Sequence, residues 1–570
     1  MKKIISIITL VVLINACVSE ERFERMNISP TALTDEMIAL DYNFGTRFNS
    51  IFTNLTAGQS GEEHNSDTYC RHFATPSIFA NNINGATYNF REGWNSALWN
   101  QHYNNVMAPC LVIKDLALNS GLELFAAWAE LLQVTALSRL TTYHGPLIYS
   151  QYGEGHLFYV YDSEEYLYQQ FFDKLDEIQT VFKANLPTGN AATDANLQII
   201  QAKFDPSYGG NLAQWLKYIN SLRLRLAMRL VKANPEWAER MWKQAVNDQV
   251  GLILTNADNF NISLYGGVFP HWQVSDEWTD TRMGSGHEEV LLGYKDPRLY
   301  VWWQPVRPPA GTTMPEEQLK ALYADHPDVP YKGIAGGAYL EAKADRTPFS
   351  ALGTYFNNSA NKLRNFRRFM TAEEVHFACA EAALRGWPTP GSKSVQQWYE
   401  DGVKLSWEEW GIDINNAERP LSEYLDDDTS QPLEKYVDPI DLRNNYDSRM
   451  KDISIKWDES ADPEKKLERI MMQKWIGAFV NSNEMWADHR RTGYPKVPLA
   501  IQNNSGEQWG IISNDEPYPF PKRFPFYSTG SRSEVLNNPD GVKDAIVKLG
   551  GPDKISTSLW IHPDPGGPNF

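Results

Sequence analysis

The sequence predicts a mostly α-helical protein in which pairs of helices form a scaffold for long irregular loops, with little β structure. Several long segments repeat apolar residues at steps of three and four, which is the periodicity of helices that bury one face. Some of them come as helix, short break, helix, as in stacked helical hairpins, although no strict repeat period is present. Between them lie stretches rich in Gly, Pro, Asn and aromatic residues, without periodicity.

The first element is a secretory signal peptide over residues 1–16. An apolar run from Ile4 to Ile14 follows two lysines and is too short to span a bilayer, which takes about 20 residues. The run ends at Cys17 in a sequence that resembles a lipoprotein processing box. Cys17 is therefore expected to carry the lipid and to begin a tether over residues 17–27, the alternative being an ordinary signal peptide with an incidental cysteine.

Residues 28–570 are expected to form one domain. The formal net charge of −18 becomes −20 once residues 1–16, which hold two lysines and no acid, are removed. A surface this acidic disfavours nucleic acid and anionic lipid as partners, so the lipid on Cys17 is the expected membrane attachment. The other cysteines have no zinc spacing and are expected to be mainly buried free thiols, with at most one disulfide. They are Cys70, Cys110 and Cys379.

The first two strong helices lie before residue 235. An apolar stripe runs from Phe125 to Tyr143, and Gly145 ends that helix. The next helix begins after Asn211, which is expected to cap it, and stops before Pro235. Its arginines are expected on the polar flank of the helix: Arg223, Arg225 and Arg229.

Two more strong helices lie in the second half. One opens at Thr371, with Glu374 in the position that completes a capping box, and closes at Gly386. The other covers residues 466–480 and is followed, after a polar break, by a short helix that Gly493 ends. Weaker helical patterns cover residues 94–118, 164–182, 237–246 and 394–410.

The remaining sequence is loop-like, with a loop-rich insert at about residues 256–365 and an irregular C-terminal region at about 495–570.

No HExxH, GxSxG, P-loop or dinucleotide motif is present, and we expect no catalytic residue, no cofactor and no metal. The best-placed carboxylates for hydrolysis lie in one loop and are Asp276, Glu277 and Asp280. The alternative interpretation is an acidic loop that is simply solvated. The acidic run at residues 426–428 is interpreted as a solvated turn, with a Ca²⁺ site as the alternative.

Five blocks carry a family resemblance: WLKYINSLRLRLAMR, EEVHFACAEAALRGW, RIMMQKWIGAFVNSNEMWADHRRTGYP, RFPFYSTGSRSEVLNN and TSLW. In this order they resemble the SusD/RagB-type nutrient-binding outer-membrane lipoproteins of the Bacteroidetes. The resemblance implies helix pairs of tetratricopeptide type and a partner, a SusC-like TonB-dependent outer-membrane barrel. The family's ligands are usually glycans and sometimes peptides. Ser19, Glu20 and Glu21 resemble the family's surface-export signal, which implies a position outside the cell.

Glycan binding makes its own demand on residue types, because sugar rings stack on aromatic side chains and their hydroxyls pair with Asn, Asp and Arg. A binder therefore needs aromatic residues on loops. Three loop stretches meet this requirement and supply the expected ligand-binding residues, for each of which a packed loop core is the alternative. They are Tyr265, Trp272 and Trp278; Tyr300, Trp302 and Trp303; and Asp67, Tyr69 and Arg71 with Trp94. Trp302 and Trp303 are expected to point to opposite faces of an extended segment, so that one can be buried while the other faces outward.

The leading hypothesis is a surface lipoprotein that captures an oligo- or polysaccharide and delivers it to the barrel without catalysis. One alternative keeps the fold and changes the ligand to peptides, whose binding to an acidic protein should weaken with salt. Another is a surface glycoside hydrolase, which needs two carboxylates at the sugar. A structural or adhesion protein is disfavoured because low-complexity tracts are absent from the sequence.

Overall fold

The computed structural model describes residues 45–55, 58–75, 84–156, 159–187, 202–263, 269–306, 331–340, 348–357, 366–415, 418–526 and 539–570. The chain divides into two compact units, residues 1–46 and 47–570. The predicted signal peptide, Cys17 and the tether all lie outside the described residues, as does Tyr265. The architecture below is that of residues 47–570.

Of the thirteen longer α-helices in the described residues, ten occur where periodicity predicts them. Thr46–Asn54 was not predicted, and Ser285–Gly293 and Pro539–Leu549 lie in stretches that were expected to be irregular, so that expectation is wrong there. The helices are labelled in chain order. They are α1 (Thr46–Asn54), α2 (Glu92–His102), α3 (Ala108–Asn119), α4 (Glu123–His144), α5 (Glu164–Ala184), α6 (Leu212–Arg229), α7 (Pro235–Asn247), α8 (Ser285–Gly293), α9 (Ala372–Leu384), α10 (Val395–Glu409), α11 (Pro463–Gly477), α12 (Ser482–Thr492) and α13 (Pro539–Leu549).

Shorter helical turns lie in the connections. The short α and 3₁₀ turns are Asp67–Tyr69, Gly85–Thr87, Asn256–Asp258, Pro270–Trp272, Arg298–Trp302, Thr354–Phe356, Leu421–Leu425 and Leu442–Asn444. The π-helical turns are π1 (Gln59–Ser66), π2 (Tyr103–Met107) and π3 (Gln273–Glu277).

Consecutive helices form the scaffold. Helix α3 packs on α4, α6 on α7, and α9 on α10, while α4–α5, α5–α6 and α9–α11 contacts join these pairs. The predicted architecture of helix pairs, mostly α, is therefore confirmed.

The described strands are short and form two-stranded antiparallel ladders. Their order in the chain is β1 (Phe73–Ala74), β2 (Phe260–Ser263), β3 (Arg282–Met283), β4 (Phe366–Met370), β5 (Lys435–Tyr436) and β6 (Tyr446–Asp447). They pair as β1 with β3, β2 with β4, and β5 with β6. The first two ladders tie segments that are far apart in sequence, whereas β5 and β6 are close neighbours.

Helix capping follows the prediction at one helix and departs from it at another. Asn211 caps α6, since its side chain accepts hydrogen bonds from the backbone N–H of Ala213 and Gln214 at 3.1 and 3.2 Å. The capping box predicted at the start of α9 is wrong, because Thr371 makes no side-chain cap hydrogen bond. The carboxylate of Glu374 instead accepts from a buried arginine of α6.

The arginines of α6 do not lie on a polar flank, and this prediction is wrong. Arg223, Arg225 and Arg229 are all buried, between 0 and 6 % exposed. A buried charge is tolerated only with a partner, and each has one: Asp176 for Arg223 at 2.5 Å, Glu374 for Arg225 at 2.6 Å, and Glu484 for Arg229.

Glu484 is the centre of this ion network. It lies at the start of α12, is 5 % exposed, and also contacts Arg225 at 3.5 Å and Arg139 of α4 at 3.7 Å. Burial alone raises the pKa of the Glu484 carboxyl, but the three arginines outweigh it and lower that pKa to about 2. One carboxylate thus joins α4, α6 and α12.

A second buried carboxylate lies in different surroundings. Glu289 of α8 accepts hydrogen bonds from the hydroxyls of Tyr446 and Ser448, beside the β5–β6 ladder. Burial raises the pKa of Glu289 to about 8, since the two hydroxyls offset only part of the lost hydration. Folding therefore favours the protonated form of Glu289.

The three cysteines are free and buried, as expected. Among the helices of the described residues, none combines the length and the apolar character needed to cross a membrane.

We expect Glu484→Gln to lower the free energy of unfolding by about 3–5 kcal/mol, because it leaves the buried arginines with too little opposite charge. Glu239→Gln is the matched control, since the Glu239–Lys243 pair is exposed and the loss should stay below about 1 kcal/mol. Denaturant unfolding of both variants measures the difference. Equal losses for the two variants would contradict a central role for Glu484.

We expect Glu289→Gln to reduce the pH dependence of stability. The folded pKa of Glu289 is raised from 4.5 to about 8, so the wild type binds this proton more tightly when folded and loses stability as pH rises from about 4.5 to 8. Glutamine carries no charge in either state. The stability of the variant relative to the wild type should therefore rise across this window in denaturant titrations, and a constant difference would show that folding does not raise the pKa of Glu289.

Candidate functional site

Two π-helical turns lie side by side in the region predicted to bind ligand. Gln59, the first residue of π1, donates from Nε2 to Oδ2 of Asp280, just beyond the end of π3, at 3.4 Å. At the other end, Oδ2 of Asp67, which follows π1, lies 2.8 Å from Nε2 of His271, which precedes π3. The two turns therefore run antiparallel and are fastened at both ends. Turns of this kind are rare and often mark functional sites.

The third predicted stretch joins the same region. Nε2 of Gln304 donates to Oδ1 of Asp276 in π3 at 3.1 Å and to the carbonyl of Leu352 at 2.6 Å. Strand β1, shortly after π1, pairs with β3, shortly after π3, with Phe73 opposite Met283. The structure thus brings the three predicted stretches together.

Asp67 has a structural role in this arrangement. It is 1 % exposed, and burial alone raises the pKa of its carboxyl. The contact with His271 and a hydrogen bond from Ser482 outweigh burial and lower that pKa below its usual value. Asp67 is therefore ionised and holds the two π-helical turns together from inside the protein.

Tyr69 and Arg71 are also interior residues. Tyr69 is 2 % exposed and packs on Trp486, with ring centroids 5.2 Å apart. Arg71 is 1 % exposed and donates to the carbonyls of Pro498 and Thr68 and to the hydroxyl of Tyr88 at 2.9–3.1 Å. Neither side chain faces solvent, so the structure does not place them where a ligand could reach them.

The adjacent tryptophans are both buried, and the expectation that one of them faces outward is wrong. Trp302 is 0 % and Trp303 is 1 % exposed. The expectation assumed an extended segment, but Arg298–Trp302 is helical and only Trp303 is extended, in a bridge to Leu352. Trp302 stacks on Phe479 at 4.7 Å. Trp272 is likewise buried.

Three of the predicted residues do reach the surface, and we name them the aromatic row: Trp94, Trp278 and Tyr300. Trp278 is 45 % and Tyr300 is 66 % exposed. Trp94 is half-buried and stacks on His64 of π1, with centroids 4.5 Å apart and an interplanar angle of 21°. Tyr331, which the sequence analysis missed, lies edge-on to Tyr300 at 5.7 Å. Tyr331 directly follows a proline in the loop-rich insert, and this loop position could have marked it as a candidate for ligand binding.

Contacts connect the chain segments that carry the aromatic row. Trp94 stacks on His64, which lies five residues after Gln59 in π1. Gln59 in turn donates a hydrogen bond to Asp280. Trp278 lies between Asp280 and Asp276, and Asp276 bonds Gln304, four residues beyond Tyr300. The segments that carry the row are therefore joined in the order π1, π3 and the helical turn Arg298–Trp302.

Two of the three loop carboxylates are bonded to other segments, while Glu277 is exposed. Asp276 and Asp280 each accept a hydrogen bond from a glutamine of another segment. In the acidic run at residues 426–428, Asp427 accepts from Ser430 and Thr429 and pairs with Arg419 at 2.6 Å, so its oxygens already have donors. Within the described ranges, no group of three His, Cys, Asp or Glu side chains is placed to hold a metal ion.

The paired helices define a tetratricopeptide-like helical protein, and its connecting loops carry the exposed aromatics. The family model for SusD-like proteins, described as SusD and RagB outer membrane lipoproteins, matches residues 24–562. The chain belongs to this family, and the resemblance seen in the sequence is confirmed.

Solved structures agree with the family assignment. A chitin-binding SusD homologue from Flavobacterium johnsoniae is 31 % identical, covering 93 % of this chain and 100 % of its own, with a TM-score of 0.79. A SusD-like protein from Bacteroides thetaiotaomicron is 28 % identical, with 91 % and 98 % coverage and a TM-score of 0.74. A SusD homologue from Bacteroides vulgatus is 27 % identical, with 92 % and 99 % coverage and a TM-score of 0.75. No curated protein sequence matches the chain.

Replacing the buried tryptophan should destabilise the protein far more than replacing the exposed one. We expect Trp302→Ala to lower the free energy of unfolding by about 3–5 kcal/mol, because it empties a packed site. Trp278→Ala should change it by about 1 kcal/mol or less, because nearly half of that side chain is exposed. Denaturant unfolding of the two variants measures both values, and a large loss for Trp278→Ala would place that residue in the core.

Proposed function

We propose that this protein captures an oligo- or polysaccharide on the aromatic row and delivers it to a SusC-like TonB-dependent outer-membrane transporter, without catalysis of its own. The observation that carries the proposal is the exposure of Trp278 and Tyr300 on loops, at 45 % and 66 %, in a fold whose other large aromatics are mostly interior. Sugar rings present apolar C–H faces that stack on such rings.

The polar groups beside the row suit the same ligand. Hydroxyl and amide groups of a glycan pair with carboxylate, amide and guanidinium side chains. Asp276 and Asp280 flank Trp278, and the guanidinium of Arg91 lies 5.1 Å from the ring centroid of Trp94. The members of the row come from three separate segments, which favours a chain of several sugar units over a single one.

Chitin-type oligosaccharides are the first ligands to test. The structure with 31 % identity over 93 % of this chain is named as a chitin-binding protein. The N-acetyl groups of such a ligand add amide donors and acceptors without adding charge, which suits an acidic protein.

Attachment completes the proposal. Residues 1–16 are removed, Cys17 carries the lipid, residues 17–27 form the tether, and residues 28–570 act as one domain facing the cell exterior. The description of the family as outer membrane lipoproteins supports this arrangement. The lipid is the only membrane contact proposed, and neither a cofactor nor nucleic acid is involved.

Peptide capture and glycan hydrolysis are the competing functions. A cationic peptide would be attracted by the negative net charge, which is −18 for the full chain and −20 once residues 1–16 are removed. That attraction weakens as salt rises. Hydrolysis needs two carboxylates free to exchange protons with the glycosidic oxygen or with water. Asp276 and Asp280 are instead hydrogen-bonded to Gln304 and Gln59, which favours a positioning role for them.

We expect the soluble protein to bind the β-1,4-linked hexamer of N-acetylglucosamine in calorimetric titration. Tyr300→Ala and Trp278→Ala should each weaken binding about fivefold, which corresponds to the loss of about 1 kcal/mol of stacking. Tyr166→Ala is the matched control, because Tyr166 is 43 % exposed on α5, away from the loops. Equal losses in all three variants would contradict binding at the row.

The same titration separates the competing functions. Binding of the neutral hexamer should stay nearly constant from low to high salt, and the hexamer should be recovered uncut. Binding of a cationic peptide alone, with strong salt dependence, would favour peptide capture. Shortened oligosaccharides that disappear in an Asp276→Asn and Asp280→Asn double variant would favour hydrolysis.

A further inference from the structure

The turn that carries Trp278 holds an uncommon backbone conformation. Thr279 has φ of +60°, in the left-handed region. A β-branched residue rarely adopts it, because its Cβ is crowded there, and the conformation costs about 1–3 kcal/mol. The turn is otherwise well bonded, since the N–H of Trp278 donates to Gln273 and that of Asp280 donates to Val274, both at 2.8 Å.

Hydrogen bonds to other segments keep the strained turn in place. On one side Asp276 accepts from Gln304, and on the other Asp280 accepts from Gln59 in π1. Beneath the turn, Ser275 donates from Oγ to the carbonyl of Thr281 at 3.2 Å. The turn is thus fastened on both sides of Thr279, so the strain cannot relax by a shift of the loop.

Among the described residues, two β-branched residues have positive φ, Thr279 and Val480, and Val480 is buried. Arg71 has a similar φ of +61°, but its side chain is buried and donates to three oxygens, so interior contacts compensate for its backbone. Thr279 instead adjoins the half-exposed Trp278. Strain that interior packing does not explain is concentrated at ligand clamps and active sites.

We propose that the turn Trp278–Thr279–Asp280 is a preorganised ligand platform. Thr279 acts as a positioning residue for the indole of Trp278, and so does Gln59 through its hydrogen bond to Asp280. This inference rests on the proposed function. A fixed indole avoids the loss of conformational freedom that a mobile side chain undergoes on binding, and thereby raises affinity without a further contact.

Substitutions at Thr279 separate positioning from contact. Thr279→Gly allows many backbone conformations, so the turn becomes mobile, and affinity for the N-acetylglucosamine hexamer should fall about two- to tenfold. Thr279→Asn keeps the left-handed conformation with less strain, so its affinity should equal that of the wild type while its melting temperature rises. Gln59→Ala should weaken binding in the same range as Thr279→Gly. Equal affinity of the wild type, Thr279→Gly and Gln59→Ala would overturn the inference.

A measurement without ligand makes the test independent of the proposed function. Fluorine NMR of protein labelled with 5-fluorotryptophan reports on Trp278, whose resonance is the one lost in Trp278→Phe. The wild type and Thr279→Asn should give one sharp resonance for Trp278, while Thr279→Gly should give a broadened or shifted one. An unchanged resonance in Thr279→Gly would overturn the positioning role. If the wild type binds no hexamer but the resonance changes as expected, the glycan proposal fails and the positioning role stands.

Discussion

The buried carboxylate of Glu484 is the constraint on which the rest of the structure depends. Removing an ion from water costs several kcal/mol unless its partners are in place, so Glu484 fixes the positions of Arg139, Arg225 and Arg229. These arginines come from α4 and α6, while Glu484 comes from α12. The helices therefore cannot slide past one another without separating buried charges. Because Arg139 also pairs with Glu62 of π1 at 2.6 Å, the same network reaches the candidate site.

Helical periodicity was sufficient to predict the scaffold, because it records which face of each helix is buried. The stripe from Phe125 to Tyr143 became α4, and the cap at Asn211 began α6. Periodicity could not predict that the polar faces are buried as well. The arginines of α6 find acids on α5, α9 and α12, and such partners, distant in sequence, leave no local signal. The same long-range pairing removed the capping box at Thr371, since Glu374 was already engaged.

The candidate site could be predicted as a region but not residue by residue. The three loop stretches do meet, and hydrogen bonds near the ends of π1 and π3 join them. Which aromatic faces solvent depends on the path of each loop. Tyr300 and Trp302 lie two residues apart in the same stretch, yet Trp302 stacks on Phe479 in the interior and Tyr300 is 66 % exposed. Loop composition alone does not contain that difference.

Rigidity of the scaffold and exposure of the row are connected by the two π-helical turns. A loop that exposes a large aromatic gains little from burial, so contacts elsewhere must hold it. Here π1 is held by the Glu62–Arg139 pair, and π3 is held to π1 by Asp67–His271 at one end and Gln59–Asp280 at the other. The route from Glu484 through Arg139 and Glu62 to π1 and π3 therefore places Trp278. The buried charges of this protein therefore have a second role beyond stability. They anchor loops that have too little hydrophobic core of their own to the helix pairs.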